Sequence, residues 1–534
     1  MTRSLAPPQR TAGGNDADVV IVGFGPTGAT LAGLLAQHGV SVVVFDKLPD
    51  LYPLPRAVGM DHEVMRVMQE LGIVDRVLPY TEPYRPSEYQ GMDGQLIKRL
   101  DAAPPPYRMG WAPNFVFNQP EFEHRLRDRL TEMPRVTTCY PAEVTSLGQS
   151  EHGVWVEVAE AGTKRKVTGR YLVACDGGSS VIRKELGIEL QDLGFDEPWL
   201  VVDVIVTDEK ARELPQTQVQ YCEAGRPCTF VTCTGNHRRW EIMLNPGDSL
   251  SAEYPEERLW SLLGRWIKPG EGKLWRAATY RFHGLIAKQW RRDRILLAGD
   301  AVHMTPPFMA QGMVQGIRDA HNLSWKLARV LHGTSPDRML ETYANERRPH
   351  VETTTRAAMA LGRLICERDP QRAKARDVQL VAEHGGNVGT TIRQNMIPGL
   401  NPGPLVKDCP GSGLLFPQPT VDVSATGRTS LLDDVTGSRV RVVTSSNLTG
   451  QEAGEIEQRL SSLEGCLVSV GCQQPVVARA IEVTEVAGCL GAWMQELDRT
   501  FVIVRPDHYV YATAATARHA IHHLDSFAAA LNAA

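Results

Sequence analysis

Three short runs in this chain set glycine beside an acid in a way that could hold a nucleotide. The first is Gly23-Phe24-Gly25-Pro26-Thr27-Gly28, a GxGxxG. Gly23 permits a tight turn, Gly25 lets the backbone approach a pyrophosphate, and Gly28 lets the next helix pack close to the strand. The apolar run Val19 to Val22 before it reads as a buried parallel strand. The helix after it offers free N–H groups to phosphate oxygens. A second apolar strand, Val42 to Phe45, ends in Asp46, where an acid can accept bonds from a ribose hydroxyl. Asp18 to Lys47 is therefore a dinucleotide site, and alone it leaves NAD and FAD both open.

The second run, Asp176-Gly177-Gly178-Ser179-Ser180-Val181-Ile182-Arg183, ends a buried strand and leads into a helix. The third, Gly299-Asp300-Ala301-Val302-His303-Met304-Thr305-Pro306, follows the apolar strand RILLA. Between the first two runs, Pro49, Pro53 and Pro55 make an extended loop ending at Arg56, which can reach back to a pyrophosphate.

At 534 residues the elements that position these runs must form two or three domains. Hydrophobic content of 42% and charged content of 22% are ordinary for a soluble globular protein. A net charge of −5 argues against a nucleic-acid surface. No apolar stretch is long enough to span a membrane, and residues 1–17, without an apolar segment, read as a flexible leader. The ten cysteines form no CxxC and no zinc spacing, so free thiols in a reducing cytoplasm and no bound metal are expected. Residues 199 to 282 alternate apolar and polar types, predicting a sheet beside the cofactor domain and a natural substrate wall. Residues 385 to 417 read as a linker, and the region from Thr429 as a small α/β domain of thioredoxin-like layout.

In this order, the three runs resemble the FAD-dependent aromatic hydroxylases, single-component flavoprotein monooxygenases related to p-hydroxybenzoate and phenol hydroxylases. PRAVGMDHEVMRVMQELGIVDRVLP, WLVVDV, GIRDAHNLSWKLA and VRPDHYVYATA strengthen the resemblance, especially to the branch acting on 3-(3-hydroxyphenyl)propionate. The resemblance implies an α/β fold: a Rossmann-like FAD-binding domain over 18–395, a mixed β-sheet substrate domain inserted at about 190–285, and a thioredoxin-like domain over 396–534 lacking CxxC. It implies bound FAD, NADH or NADPH as a transient reductant, dioxygen, and ortho-hydroxylation of a phenol, with 3-(3-hydroxyphenyl)propionate or 3-hydroxycinnamate first. Another phenol or an aromatic polyketide is the alternative substrate. The oligomeric state stays open, with a homodimer among the options, and the expected location is the cytoplasm.

The resemblance also assigns residues. Val22, Gly23, Phe24, Gly25, Pro26, Thr27 and Gly28 would cradle the ADP pyrophosphate; Phe45, Asp46, Lys47 and Val144 would border the adenosine. Arg56 would lie near pyrophosphate and flavin, and Gln119 against the flavin side chain. Asp176 and Gly177 belong to the run tied to both FAD and nicotinamide binding. Leu297, Ala298, Gly299 and Asp300 would carry the ribityl contact; Pro306, Gln311, Gly312 and Met313 would border the isoalloxazine. That last loop departs from the common GxGxNxG, with Ala310 for the first glycine and Val314 for the asparagine. The chemistry needs an acceptor for the phenol proton, for which His283 is the candidate. A substrate carboxylate needs a cation, for which Arg226, Arg238 and Arg239 are candidates. Two other readings are weaker. A flavin-dependent halogenase would carry WxWxIP, and Trp240 is followed by EIMLNP and Trp325 by KLARV. A non-catalytic binding protein would have no need of the intact glycines, Asp176 and Asp300.

Overall fold

A computed structural model of the chain describes residues 14–248, 254–400, 405–471 and 480–533. Most of the expected leader and Cys472 lie outside the described residues. The first layer is an eight-stranded sheet built on the valine-rich run Ala17–Val22. That strand pairs in parallel with Val42–Phe45 on one side and Thr163–Ala174 on the other. Val136–Cys139 and Ile295–Leu297 extend it in parallel, and the antiparallel strands Gly153–Glu160 and Glu143–Ser150 lie off the main path. Helix Pro26–Gln37 packs against the long helix Gly312–Leu331, which is buried along most of its length. Gly23 has φ +105°, and a Cβ there would overlap the carbonyl of Cys175. A Cβ on Gly28 would overlap the Gly23 carbonyl, so both positions require glycine.

The second layer is a mixed nine-stranded sheet. Its centre is Leu190–Val206, flanked by Gly272–Ala287 and His237–Met243. Alternation sets its two faces. Leu200, Val202, Trp240 and Ile242 face one side, where Leu259 and Leu263 of helix Glu256–Leu263 complete a core. Val201, Asp203, Arg239 and Glu241, one residue out of phase, face the opposite side.

This sheet is wider than the expected 190–285. Ser87–Gln90, Leu96–Asp101, His303–Met304 and Gly389–Ile392 all join it. The last of these corrects the linker reading of 385–417. GTTI pairs with Lys98–Asp101 through its backbone, which no apolar alternation announces.

The C-terminal region forms a seven-stranded sheet, with Arg441–Thr444 parallel to Cys466–Val470 across helix Gly450–Ser462, and Phe501–Val504 antiparallel to Arg441–Thr444. Buried ion pairs and a buried hydrogen bond fasten it to the rest of the chain. Arg66 meets Asp433 at 2.8 Å, Arg505 meets Glu346 at 2.8 Å, and Tyr509 donates to Glu63 at 2.9 Å. Among the described residues no helix is long and apolar enough to cross a membrane, and the nine described cysteines are unpaired.

Candidate active site

Two connected hollows open along the carboxyl ends of the parallel strands. The narrower, about 270 Å³, is lined by Val22, Gly23, Gly25, Pro26, Phe45, Asp46, Lys47, Val144, Asp176 and Gly177. Helix Pro26–Gln37 points its N-terminus here, with Gly25 as its cap and no side chain satisfying the first N–H groups. Asp46 accepts from the backbone N–H of Phe24 at 2.7 Å and of Leu48 at 2.9 Å, which fixes the glycine turn. Phe24 and Gly28 shape the turn without lining the hollow. Phe24 is buried under Arg127, whose guanidinium lies 4.4 Å from its ring centre. One oxygen of Asp176 accepts from Val181 N–H at 2.8 Å, and its other oxygen is buried with no partner.

The wider hollow, about 380 Å³, shares Gly25, Pro26, Arg56, Gln119 and Gly177 with the first and continues to the substrate-sheet face. Gln119 accepts from the backbone N–H groups of Arg56 (2.8 Å) and Ala57 (2.6 Å), and it donates to Glu123 at 2.7 Å. Its structural work is to hold the Arg56 loop. Thr27, Asp300, Gly312 and Met313 line the wide hollow, whereas Pro306 and Gln311 do not. Gln311 instead accepts from Arg318 at 2.6 Å on the far side of the loop. Leu297 ends the strand Ile295–Leu297, and Ala298, also buried, leads from it into the Gly299–Asp300 turn. Ala310 adopts φ +54°, the left-handed conformation a glycine would take freely.

A network read only in part from the sequence holds that turn. Asp319 accepts from Gly299 N–H at 3.0 Å and from Arg347 at 2.9 Å, and it pairs with His303 at 2.7 Å. Burial alone would raise the Asp319 carboxyl, yet His303 and Arg347 outweigh it and hold it low.

The substrate face differs from expectation. His283 does not line the hollow. It is half-exposed, 3.3 Å from Asp196, because alternation sends Phe282 inward and His283 to the other side. Arg226 pairs with Asp248 at 2.7 Å, and Arg238 is turned to the carbonyls of Gly235 and His237. Only Arg239 of the three lines the hollow, and its charge is already matched. Its Nε meets Asp203 at 2.7 Å, and its remaining N–H groups reach Asp203 and the carbonyls of Pro55 and Arg56. Burial pushes Asp203 up, but Arg239 and His237 pull it further down, to about 2.

Sequence reasoning missed five residues that complete this wall: Tyr84, Gln220, Glu241, Arg276 and Arg393. Alternation within the strands could have named Glu241 from Arg239, and Arg276 from Phe282. Arg276 donates to the Pro55 carbonyl at 2.5 Å, while its Nε and one terminal nitrogen are buried without partners. Arg393, 6% exposed, donates to the Met309 carbonyl at 3.0 Å and lies over Tyr84, and it has no carboxylate partner among the described residues. Burial raises the Glu241 carboxyl to about 7, against the opposing pull of Arg239.

These features fit FAD. The uncapped helix start and the open space at Gly25 suit the pyrophosphate, and the orphan Asp176 oxygen suits a hydroxyl. They do not fit a metal. The one ligand-like cluster among the described residues is Glu70, His321 and His508, none of which lines either hollow. Nδ1 of His508 is 2.7 Å from Arg441, which can only donate, so the neutral ring carries its proton on Nε2 and cannot ligate.

Comparison with known proteins agrees with this geometry. Residues 16–358 match the family model described as an FAD binding domain, and residues 413–530 match the HcaD C-terminal domain. The chain is 36% identical over 507 residues to a probable NADH-specific resorcinol 4-hydroxylase of Rhodococcus jostii, covering 94% of this chain and 93% of that protein. It is 30% identical over 515 residues to a 3-(3-hydroxy-phenyl)propionate/3-hydroxycinnamic acid hydroxylase of Escherichia coli, covering 93% and 91%. In fold it is similar to the crystal structure of the flavin-dependent monooxygenase PieE, with TM-score 0.81, 19% identity, and 98% and 100% of the two chains covered.

Proposed function

The chain belongs to the FAD-dependent aromatic hydroxylases, and from that premise we propose that it ortho-hydroxylates a single-ring phenol substituted at position 3, with NADH as reductant. The first substrates of this reading are 3-(3-hydroxyphenyl)propionate and 3-hydroxycinnamate, giving 2,3-dihydroxy products. The observation that carries it is the wide hollow. It runs from the Gly25–Asp300 side to an apolar, aromatic wall of Val201, Val231, Tyr280, Phe282 and Phe308, which suits a small aromatic ring. Arg393 supports the acidic side chain, since its guanidinium is buried in the wall without a carboxylate. Resorcinol is the second reading, favoured by the 36% identical relative.

When bound, FAD supplies the reductive activation of dioxygen and the transfer of one oxygen atom to the ring. The chain's own residues do the rest. Gly23, Gly25 and the N-terminus of the Pro26 helix hold the pyrophosphate, Asp46 the adenosine ribose and Asp300 the ribityl chain. Phe282, Phe308 and Tyr280 clamp the substrate ring, which fixes the carbon that reacts. Val201, Val231 and the same aromatic groups keep water out. Residues 18–395 form the catalytic body, and residues 396–534 form a thioredoxin-like domain that buttresses it without redox cysteines. The test is a panel of phenols offered to the purified flavoprotein with NADH. The 3-substituted phenols should stimulate NADH oxidation and yield an equal amount of hydroxylated product. Stimulation only by fused-ring phenols would overturn the substrate reading.

A further inference from the structure

The wall of the wide hollow carries a carboxylate that the protein leaves without a hydrogen-bond donor. Glu241 is 7% exposed, and among the described residues its side chain accepts no hydrogen bond. Of the nearby donors, Arg239 and Thr229 are committed elsewhere, and Arg276, whose Nε and one terminal nitrogen have no partner, makes no hydrogen bond to it. Arg239 approaches it only to 3.9 Å, because its N–H groups serve Asp203 and the carbonyls of Pro55 and Arg56. The hydroxyl of Thr229, its partner on the adjacent strand, donates to Gln220 at 2.6 Å. Protein interiors rarely leave a buried charged acceptor unmatched, because the desolvation is not recovered. A hydroxyl on the ligand is the missing donor.

The other acids and bases near the hollow are spoken for. His237 pairs with Asp203 at 2.7 Å, His283 lies outside, and Asp300 belongs to the turn at the flavin side. We propose that Glu241 is the catalytic base that takes the hydroxyl proton of the substrate phenol. This rests on the single-ring phenol reading above. In the step, the phenol O–H bond breaks and an O–H bond forms on the Glu241 carboxylate. The freed electron pair moves into the ring, raising density at the ortho carbon that receives oxygen. When the ring carbon later loses its hydrogen as a proton and aromaticity returns, Glu241 gives its proton back to the substrate oxygen. No electrons are exchanged with Glu241; the nicotinamide and dioxygen supply the redox balance.

The groups facing Glu241 favour this role. Arg239 on its own strand and Arg276 two strands away stabilise negative charge in the hollow, Asp203 opposes it, and the Cys228 and Cys233 thiols are neutral neighbours. Burial sets the Glu241 carboxyl near neutrality, where a base is most effective at physiological pH.

The experiment compares wild type, Glu241→Gln and Glu241→Asp holoenzymes. Flavin absorbance per protein checks that each is loaded. Substrates are a 3-substituted phenol of ordinary acidity and a polyfluorinated analogue already ionised at assay pH. The expected result for E241Q is a fall in kcat of about 10²-fold with the ordinary phenol, loss of the acidic limb of the pH profile, and recovery to within about tenfold of wild type with the ionised analogue. E241D should be intermediate and keep the acidic limb. Independently of turnover, ¹⁹F NMR of a bound monofluorophenol should report ionisation at higher pH in wild type than in E241Q, because the Glu241 carboxylate accepting the phenol O–H favours the neutral phenol. Equal losses with both phenols, an unchanged kcat, or identical ionisation of the bound fluorophenol in both proteins would overturn the proposal. If Gln empties the protein of flavin, the E241D pH profile and the wild-type NMR titration decide in the same way. A wild type that hydroxylates neither phenol refutes the substrate reading and this proposal together. That outcome is distinct from a wild type that hydroxylates both while E241Q matches it.

Discussion

The two ends of the site are built by different means. The nucleotide end is made of backbone: Gly23 at φ +105°, an uncapped helix start and Asp46 bonded to main-chain N–H groups. The proposed substrate end is made of side chains projecting from one face of a nine-stranded sheet, with Asp203, Arg239, Glu241 and Arg276 brought together from three strands. A backbone cradle tolerates almost no change but distinguishes little among ligands. A side-chain wall keeps its fold through many substitutions and sets what binds. Within that wall, Asp203 is fully matched and held at about 2, whereas Glu241, 3.9 Å from the Arg239 guanidinium, accepts no hydrogen bond and is raised to about 7. One carboxylate serves the fold and the other is left for a ligand.

The contrast can be broken most severely at the nucleotide end. Gly23→Ala forces a Cβ into the Cys175 carbonyl and should cost at least about 4 kcal/mol, giving insoluble or flavin-free protein. Recovery of a yellow, folded G23A with a wild-type melting temperature would contradict the backbone account. Next comes Asp203→Asn, which leaves Arg239 buried without its counter-charge and should cost about 3–5 kcal/mol in thermal unfolding. The sign with pH follows from its lowered carboxyl. The stability Asp203 contributes is present above about pH 4 and is lost as pH falls towards 2, so wild type and D203N should converge in acid.

Glu241 predicts the opposite sign. Its carboxyl is raised on folding, so the unliganded protein loses stability as pH rises through about 7. E241Q should therefore melt with wild type near pH 5 and above it at pH 8.5, by up to about 3 kcal/mol. Equal melting at both values would mean that Glu241 is already matched. The smallest effect belongs to His283→Ala. With its ring half-exposed beside Asp196 and outside the hollow, it should change kcat by less than about twofold and stability by under about 0.5 kcal/mol.

The same contrast explains what could be read in advance. GFGPTG, the Asp176 run and the Gly299–Asp300 run are local, so spacing marks the first as a nucleotide site and the resemblance can be carried on all three. The Rossmann-like sheet followed from its apolar runs for the same reason. The substrate wall is assembled across hundreds of residues. Arg393 reaches it because a backbone-paired strand after residue 388 closes the sheet, and that pairing leaves no periodic trace. His283 was misplaced by one step of alternation, since the phase of a strand is set by its partners rather than by its own sequence. Ala310 in the flavin loop was visible as a departure, but its left-handed backbone was not.

The most direct test of the whole account is the fate of oxygen. Purified holoenzyme, NADH and ¹⁸O₂ are mixed with 3-(3-hydroxyphenyl)propionate or resorcinol, and the product is analysed by mass spectrometry. The account predicts one ¹⁸O atom in a ring hydroxyl ortho to the original one, with one product formed per NADH oxidised. NADH consumption that yields only labelled hydrogen peroxide with every single-ring phenol would contradict it.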